Sequence, residues 1–81
     1  MKVRVRLFAA LREAMGRGEL ELELPVRATA EEAWKALVAQ NPALGERRRG
    51  LAASVNRRYA PFDQPLCEGD EVVFIPPVSG G

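Results

Sequence analysis

The 81-residue sequence predicts an α+β domain in which one main helix packs on one face of a mixed sheet of four to five strands. Three observations predict it. Two stretches near the N-terminus alternate apolar and charged residues with period two. A central stretch repeats apolar residues at helical spacing behind a helix-start signal. A stretch near the C-terminus is apolar on both faces and is bounded by turn residues on one side and by two prolines on the other.

Residues 2–8 alternate strictly: Val3, Val5 and Leu7 share one side, and Lys2, Arg4, Arg6 and Phe8 share the other. That is the period of a half-buried strand. Residues 19–24 repeat it, with Leu20, Leu22 and Leu24 opposite Glu19, Glu21 and Glu23. Antiparallel pairing sets a basic outer face against an acidic one, which adds roughly a few tenths of a kcal/mol per pair. The link AALREAMGRG reads as a short helix ended by Gly16 and Gly18.

Pro25 ends the second strand. Thr29-Ala30-Glu31-Glu32 is a capping box, a helix start worth on the order of 1 kcal/mol. Ala30, Ala33, Trp34, Leu37 and Val38 then form one apolar stripe, which places Trp34 in the core. Glu31 and Lys35 are spaced as an i,i+4 pair on the solvated side. Asn41-Pro42 closes the helix, and ALGERRR predicts one more helical turn before Gly50.

Leu51–Asn56 reads as a third strand, Asn56-Arg57-Arg58 as a tight turn, and Tyr59 as the start of a short strand. Pro61, Pro65 and Gly69 mark the loop PFDQPLCEGD. Glu71–Ile75 is the last strand, with Val72 and Phe74 on one face and Val73 and Ile75 on the other. Pro76-Pro77 cannot continue a sheet ladder, so residues 76–81 read as a flexible tail on one domain spanning 1–81.

Composition narrows the function. Twelve basic residues face eleven acidic ones. That balance argues against a nucleic-acid binder or a membrane-surface binder. The absence of histidine removes the commonest general base and metal ligand. One cysteine, Cys67, forms no internal disulfide and holds no metal cluster alone; it reads as an inert loop thiol. The opening MKVRVRLF lacks a signal-peptide apolar block, and no apolar run reaches the roughly 18 residues of a membrane span. The expectation is a cytoplasmic domain. The clusters Arg47-Arg48-Arg49 and Arg57-Arg58 read as solvated charge. One helix covers one sheet face only, so the second apolar face of the last strand predicts an interface.

The run LAASVNRRYAPFDQPLCEGDEVVFIPPVSGG resembles the molybdopterin synthase small-subunit branch of the ubiquitin-like sulfur-carrier family. The carrying features are VN before a tight turn, then FDQPL, then EGDEVVFIPPVSGG. The opening VRLFAALREAMG is similar as well, and residues 19–50 are the least so. The resemblance implies a β-grasp (ubiquitin-like) fold. It implies that an E1-like activating enzyme uses ATP to adenylate Gly81, which is then thiocarboxylated. The carrier binds no cofactor stably. It docks on the synthase large subunit, as a heterotetramer of two small and two large chains. There it donates sulfur to a pterin precursor, cyclic pyranopterin monophosphate, in molybdenum-cofactor biosynthesis. Sulfur carriers for thiamine synthesis or tRNA thiolation, and ubiquitin-like modifiers, are the alternatives.

These roles suit the residues. A carboxylate is a poor electrophile, and coupling to AMP supplies a leaving group that sulfur displaces at backbone atoms. No side-chain catalyst is needed. Gly80 and Gly81 lack a Cβ and admit close approach. Pro76-Pro77 stiffens the exit, and Val78, Ser79, Gly80 and Gly81 reach roughly 13 Å when extended. By the resemblance, Phe8, Tyr59 and Ile75 pack on the large subunit, and the tail from Pro76 to Gly81 enters its pocket. First and last strands are neighbours in a β-grasp sheet, which brings Phe8 near Ile75.

Overall fold

The computed structural model describes residues 1–77, and their strands form one five-stranded sheet. The elements are β1 (Lys2–Leu7), α1 (Ala9–Met15), β2 (Glu19–Glu23), α2 (Ala30–Gln40), a 3-10 helix (Pro42–Arg47), β3 (Ala52–Val55), β4 (Arg58–Ala60) and β5 (Glu71–Ile75). The strand order is β2-β1-β5-β3-β4. β1 and β5 are the central, parallel pair, and the other neighbours are antiparallel. With α2 laid across one face, this is the β-grasp arrangement.

Alternation decides which side of each strand is buried. Val3, Val5 and Leu7 of β1, Leu20 and Leu22 of β2, and Val72 and Phe74 of β5 all lie in the core. α2 supplies Ala30, Ala33, Trp34 and Leu37 to the same core. The Trp34 ring meets Phe74 edge-on at 5.2 Å between centroids, a geometry that adds about 0.5–1.5 kcal/mol beyond area burial. Outside, Lys2, Arg4 and Arg6 stand opposite Glu23, Glu21 and Glu19, the charge match the sequence predicts.

The ends of the elements follow the predicted signals. At Thr29 the capping box closes in both directions: the Thr29 hydroxyl accepts from the Glu32 N–H at 3.2 Å, and the Glu32 carboxylate accepts from the Thr29 N–H at 3.2 Å. α1 ends at Gly16, whose left-handed backbone (φ 79°) lets its N–H reach the Arg12 carbonyl at 2.9 Å. β1 and β2 each stop one residue short of the expected range, at Leu7 and Glu23, and the hairpin and the start of β3 differ as well. The turn is Asn56-Arg57 alone, both at positive φ (50° and 70°), and Arg58 already belongs to β4. Two left-handed residues form the turn whose twist matches a two-residue hairpin. Leu51 leaves the ladder but stays buried.

The loop after β4 runs back along the start of α2. The Glu31 and Ala30 N–H groups donate to the Phe62 and Gln64 carbonyls at 2.8 and 3.2 Å, and the Leu66 N–H donates to the Ala28 carbonyl at 2.8 Å. Helix-start donors that have no partner in the helix are satisfied this way. No helix among the described residues is long and apolar enough to cross a membrane.

Candidate functional site

Strand β5 has two working sides. Phe74 is fully buried, held between Trp34 and the Phe62 ring, which stacks on it at 6.0 Å. Val73 and Ile75 point the other way and are half-buried. No element lies over them among the described residues, so the second apolar face of this strand is open.

Register builds a patch around those two residues. Tyr59 pairs with Ser54, Ser54 with Val73, and Val73 with Arg6, giving one row across four strands. The next row sets Ala52 beside Ile75. Phe8 continues β1 by one extended residue (φ −129°, ψ 159°), level with Ile75 because Leu7 pairs with Phe74. Phe8 is 46% exposed and Tyr59 79% exposed. Between them β3 offers only the small Ala52 and Ser54, so two exposed rings flank a shallow apolar saddle. β1 and β4 stand three strand spacings apart, about 14 Å.

Charge borders the saddle. The Arg6 guanidinium lies 5.7 Å from the Phe8 ring centre. Glu71 sits 3.9 Å from both Arg6 and Arg57. Arg4 pairs with Glu19 at 3.3 Å. Exposed pairs of this kind contribute about 0.2–1 kcal/mol each, so they orient the rim more than they hold the fold.

The chain leaves the sheet at the end of β5. Pro76 is half-buried and Pro77 exposed. The Arg48–Leu51 turn lies under this exit, closed by the Leu51 N–H donating to the Arg48 carbonyl at 3.2 Å. Gly50 has φ +77°, and a Cβ built on it would stand 3.3 Å from Pro77 Cγ and 3.5 Å from its Cβ. Arg48 anchors the turn. Its Nη2 and Nε donate to the Glu31 carboxylate at 2.7 and 3.0 Å, and its guanidinium lies 3.6 Å from the Phe62 ring centre. The hydrogen bonds from Arg48 hold the Glu31 carboxyl below the usual carboxylate range; burial opposes them, and the charges of Arg48 and Lys35 add to them. Glu31 thus pairs with Arg48 rather than closing the expected bond to Lys35, because a planar guanidinium matches a carboxylate in two places at once. Arg48 is correspondingly not simply solvated charge.

Phe8, Tyr59 and Ile75 therefore share one open face, and Pro76 and Pro77 lead away from it. Val78, Ser79, Gly80 and Gly81 lie outside the described residues. Cys67 is exposed in the loop before β5. Sequence reasoning missed Gly50 and Arg48. Gly50 carries a faint signal, a glycine just ahead of a strand, but nothing in Arg47-Arg48-Arg49 distinguishes the middle arginine.

A family model described as the ThiS family matches residues 5–81. The chain is similar to the molybdopterin synthase sulfur carrier subunit of Escherichia coli, 38% identical over 81 residues, covering 98% of this chain and 99% of that one. It is also similar to small archaeal modifier protein 1 of Haloferax volcanii, 33% identical over 84 residues, covering 94% and 97%. Among solved structures, the crystal structure of SAMP1 from Haloferax volcanii superposes with a TM-score of 0.89 at 30% identity, covering all of both chains.

Proposed function

This chain belongs to the ThiS family of ubiquitin-like sulfur carriers, and from that premise we propose that it is the sulfur carrier subunit of a molybdopterin synthase. The observation that carries the reading is the end-to-end similarity to the Escherichia coli subunit, which spans both chains almost entirely. The family match likewise runs through Gly81.

In this reading the Gly81 carboxylate attacks the α-phosphate of ATP on an E1-like activating enzyme. Pyrophosphate leaves and an acyl-adenylate forms. Sulfide-level sulfur (HS⁻) from the donor then attacks the acyl carbon, the bond to AMP breaks, and AMP leaves a thiocarboxylate behind. The open face carrying Phe8, Ile75 and Tyr59 packs on the synthase large subunit, and the tail from Pro76 to Gly81 enters its pocket. Sulfur passes there to the pterin precursor. The carrier itself contributes placement, and ATP is a co-substrate of the activating enzyme.

The test is intact-mass spectrometry after incubation with ATP, a sulfur donor and the activating enzyme. An oxygen-to-sulfur mass change localised to Gly81 is expected, and deletion of Gly81 abolishes it while the fold persists. No mass change under conditions that load an authentic carrier refutes the reading.

A second reading rests on the similarity to small archaeal modifier protein 1. Here the activated Gly81 carboxyl is transferred to a lysine amine of a target, forming an isopeptide. Lysine-linked conjugates in cell extract favour the modifier. Thiocarboxylate turnover on the large subunit without conjugates favours the carrier.

A further inference from the structure

We propose that the Arg48–Leu51 turn is a buttress that aims the C-terminal tail, with Gly50 and Pro77 as its contacting pair. The proposal deepens the reading of Gly81 as the working end and rests on it. Three observations meet here.

First, the turn is held on both sides. Arg48 is tied to α2 through two donors to Glu31 and to the loop after β4 through its stack on Phe62. Leu51 is buried. Neither end of this short segment can shift without breaking an anchored contact.

Second, Gly50 lies between those anchors with left-handed backbone (φ +77°). An L side chain rarely adopts that conformation, so the turn as built calls for glycine or asparagine.

Third, the space a side chain would need is taken by Pro77, at 3.3 Å from Cγ, 3.5 Å from Cβ and 3.9 Å from Cδ. Pro77 is exposed and lies two residues beyond the last ladder pair, Ala52 with Ile75. A Cβ at position 50 therefore meets Pro77, which is exposed and able to yield. When it yields, the chain leaves the sheet in another direction. Proline fixes its own φ, so the deflection passes along the backbone instead of being absorbed in a side chain.

Gly50 is thus a positioning residue. It lies outside the docking saddle and acts through the direction of the exit. The pair that separates strain from contact is Gly50→Ala and Gly50→Asn. Asparagine tolerates left-handed backbone, so Gly50→Asn keeps the turn and adds the Cβ.

The experiment measures activating-enzyme kinetics on folded carrier, with an NMR readout of the contact. In the wild type a nuclear Overhauser effect links Gly50 Hα to the Pro77 ring protons. Gly50→Asn is expected to unfold at close to the wild-type temperature and to lower the loading kcat about tenfold at unchanged KM, the scale expected when a reacting group is misplaced by a fraction of an ångström. Adding Pro77→Ala to Gly50→Asn is expected to recover several-fold, because the atom struck has gone. A merely structural role for Gly50 lowers the unfolding temperature and leaves kcat alone. The proposal is overturned if the Overhauser effect is absent, or if folded Gly50→Asn loads at the wild-type kcat. If the wild type never loads sulfur, the proposed function fails, while the Overhauser measurement still decides whether the buttress exists.

Discussion

Phe74 and Ile75 are chain neighbours on opposite faces of β5, and substituting each alone tests the division between core and open face. Phe74 has no exposed surface and contacts two aromatic rings, Trp34 at 5.2 Å and Phe62 at 6.0 Å. Truncating such a residue to alanine costs about 3–5 kcal/mol, and both ring pairs go with it. A chain of this length has roughly 4–12 kcal/mol of stability in total, so Phe74→Ala removes a large part of it. Ile75 is half-buried with its outer side on solvent, so Ile75→Ala costs about 1 kcal/mol, well under the 2–5 of a fully buried site. At about 4–8 °C per kcal/mol for a domain of this size, the expected drops are above about 12 °C for Phe74→Ala and below about 8 °C for Ile75→Ala. Circular dichroism on heating, with urea unfolding at 25 °C as the second measure, reads both. In the proposed complex the order inverts: Ile75→Ala weakens binding to the large subunit while remaining folded. Equal losses of stability, or a larger loss at Ile75, would refute the assignment of faces.

Three further outcomes are expected. Arg57→Gly raises stability by up to about 1 kcal/mol, because the second position of the Asn56-Arg57 turn has φ 70° and glycine takes that conformation freely; the Arg57–Glu71 pair it removes is 3.9 Å long and 85% exposed on the arginine side, and a lower urea midpoint would contradict this. Thr29→Ala costs about 1 kcal/mol through loss of the cap to the Glu32 N–H, and an unchanged unfolding temperature would show that the box contributes nothing. Glu31 gives a pH dependence: its carboxyl is held below the ordinary value by hydrogen bonds from Arg48. The stability it contributes is complete above the ordinary glutamate pKa of about 4.3 and is lost as pH falls through the lower folded value. Because both partners are about a third exposed, the amplitude stays within about 1 kcal/mol. Urea midpoints between pH 6 and pH 3 should fall less steeply for Glu31→Gln than for the wild type, and parallel curves would remove the role assigned to the pair.

Local rules carried most of the architecture. Alternation in residues 2–8 and 19–24, and the stripe from Ala30 to Leu37, each reflect one buried side, and burial on one side is what a single sequence records best. Parity also separated Phe74 from Ile75, hence core from open face. What escaped was set by contacts distant in sequence. Glu31 chose Arg48, seventeen residues on, over Lys35 on its own helix, and only the fold brings that guanidinium within reach. Gly50 looked like a helix terminator, yet the neighbour that crowds it, Pro77, is distant in sequence and is brought beside it only where β3 and β5 pair at Ala52 and Ile75. The roles of Gly80 and Gly81 rest on likeness, because adenylation is chemistry at a backbone carboxyl and leaves no side-chain pattern to read.

One strand thus joins two tasks. β5 is central in the sheet, bonded to β1 on one side and β3 on the other, so its position is fixed by the whole core. Its inner side is locked by Phe74, its outer side presents Val73 and Ile75, and its end runs directly into Pro76 and Pro77. In the proposed carrier, docking through the outer side places Pro76 and Pro77, where the tail begins, at a fixed distance from the interface. The two prolines preserve that direction where hydrogen bonding stops, and the Gly50 contact fixes it from below. A carrier built this way brings no catalytic side chain to its partner: what it supplies is the position and direction of the chain at Pro77, set by the register that fixes β5 between β1 and β3.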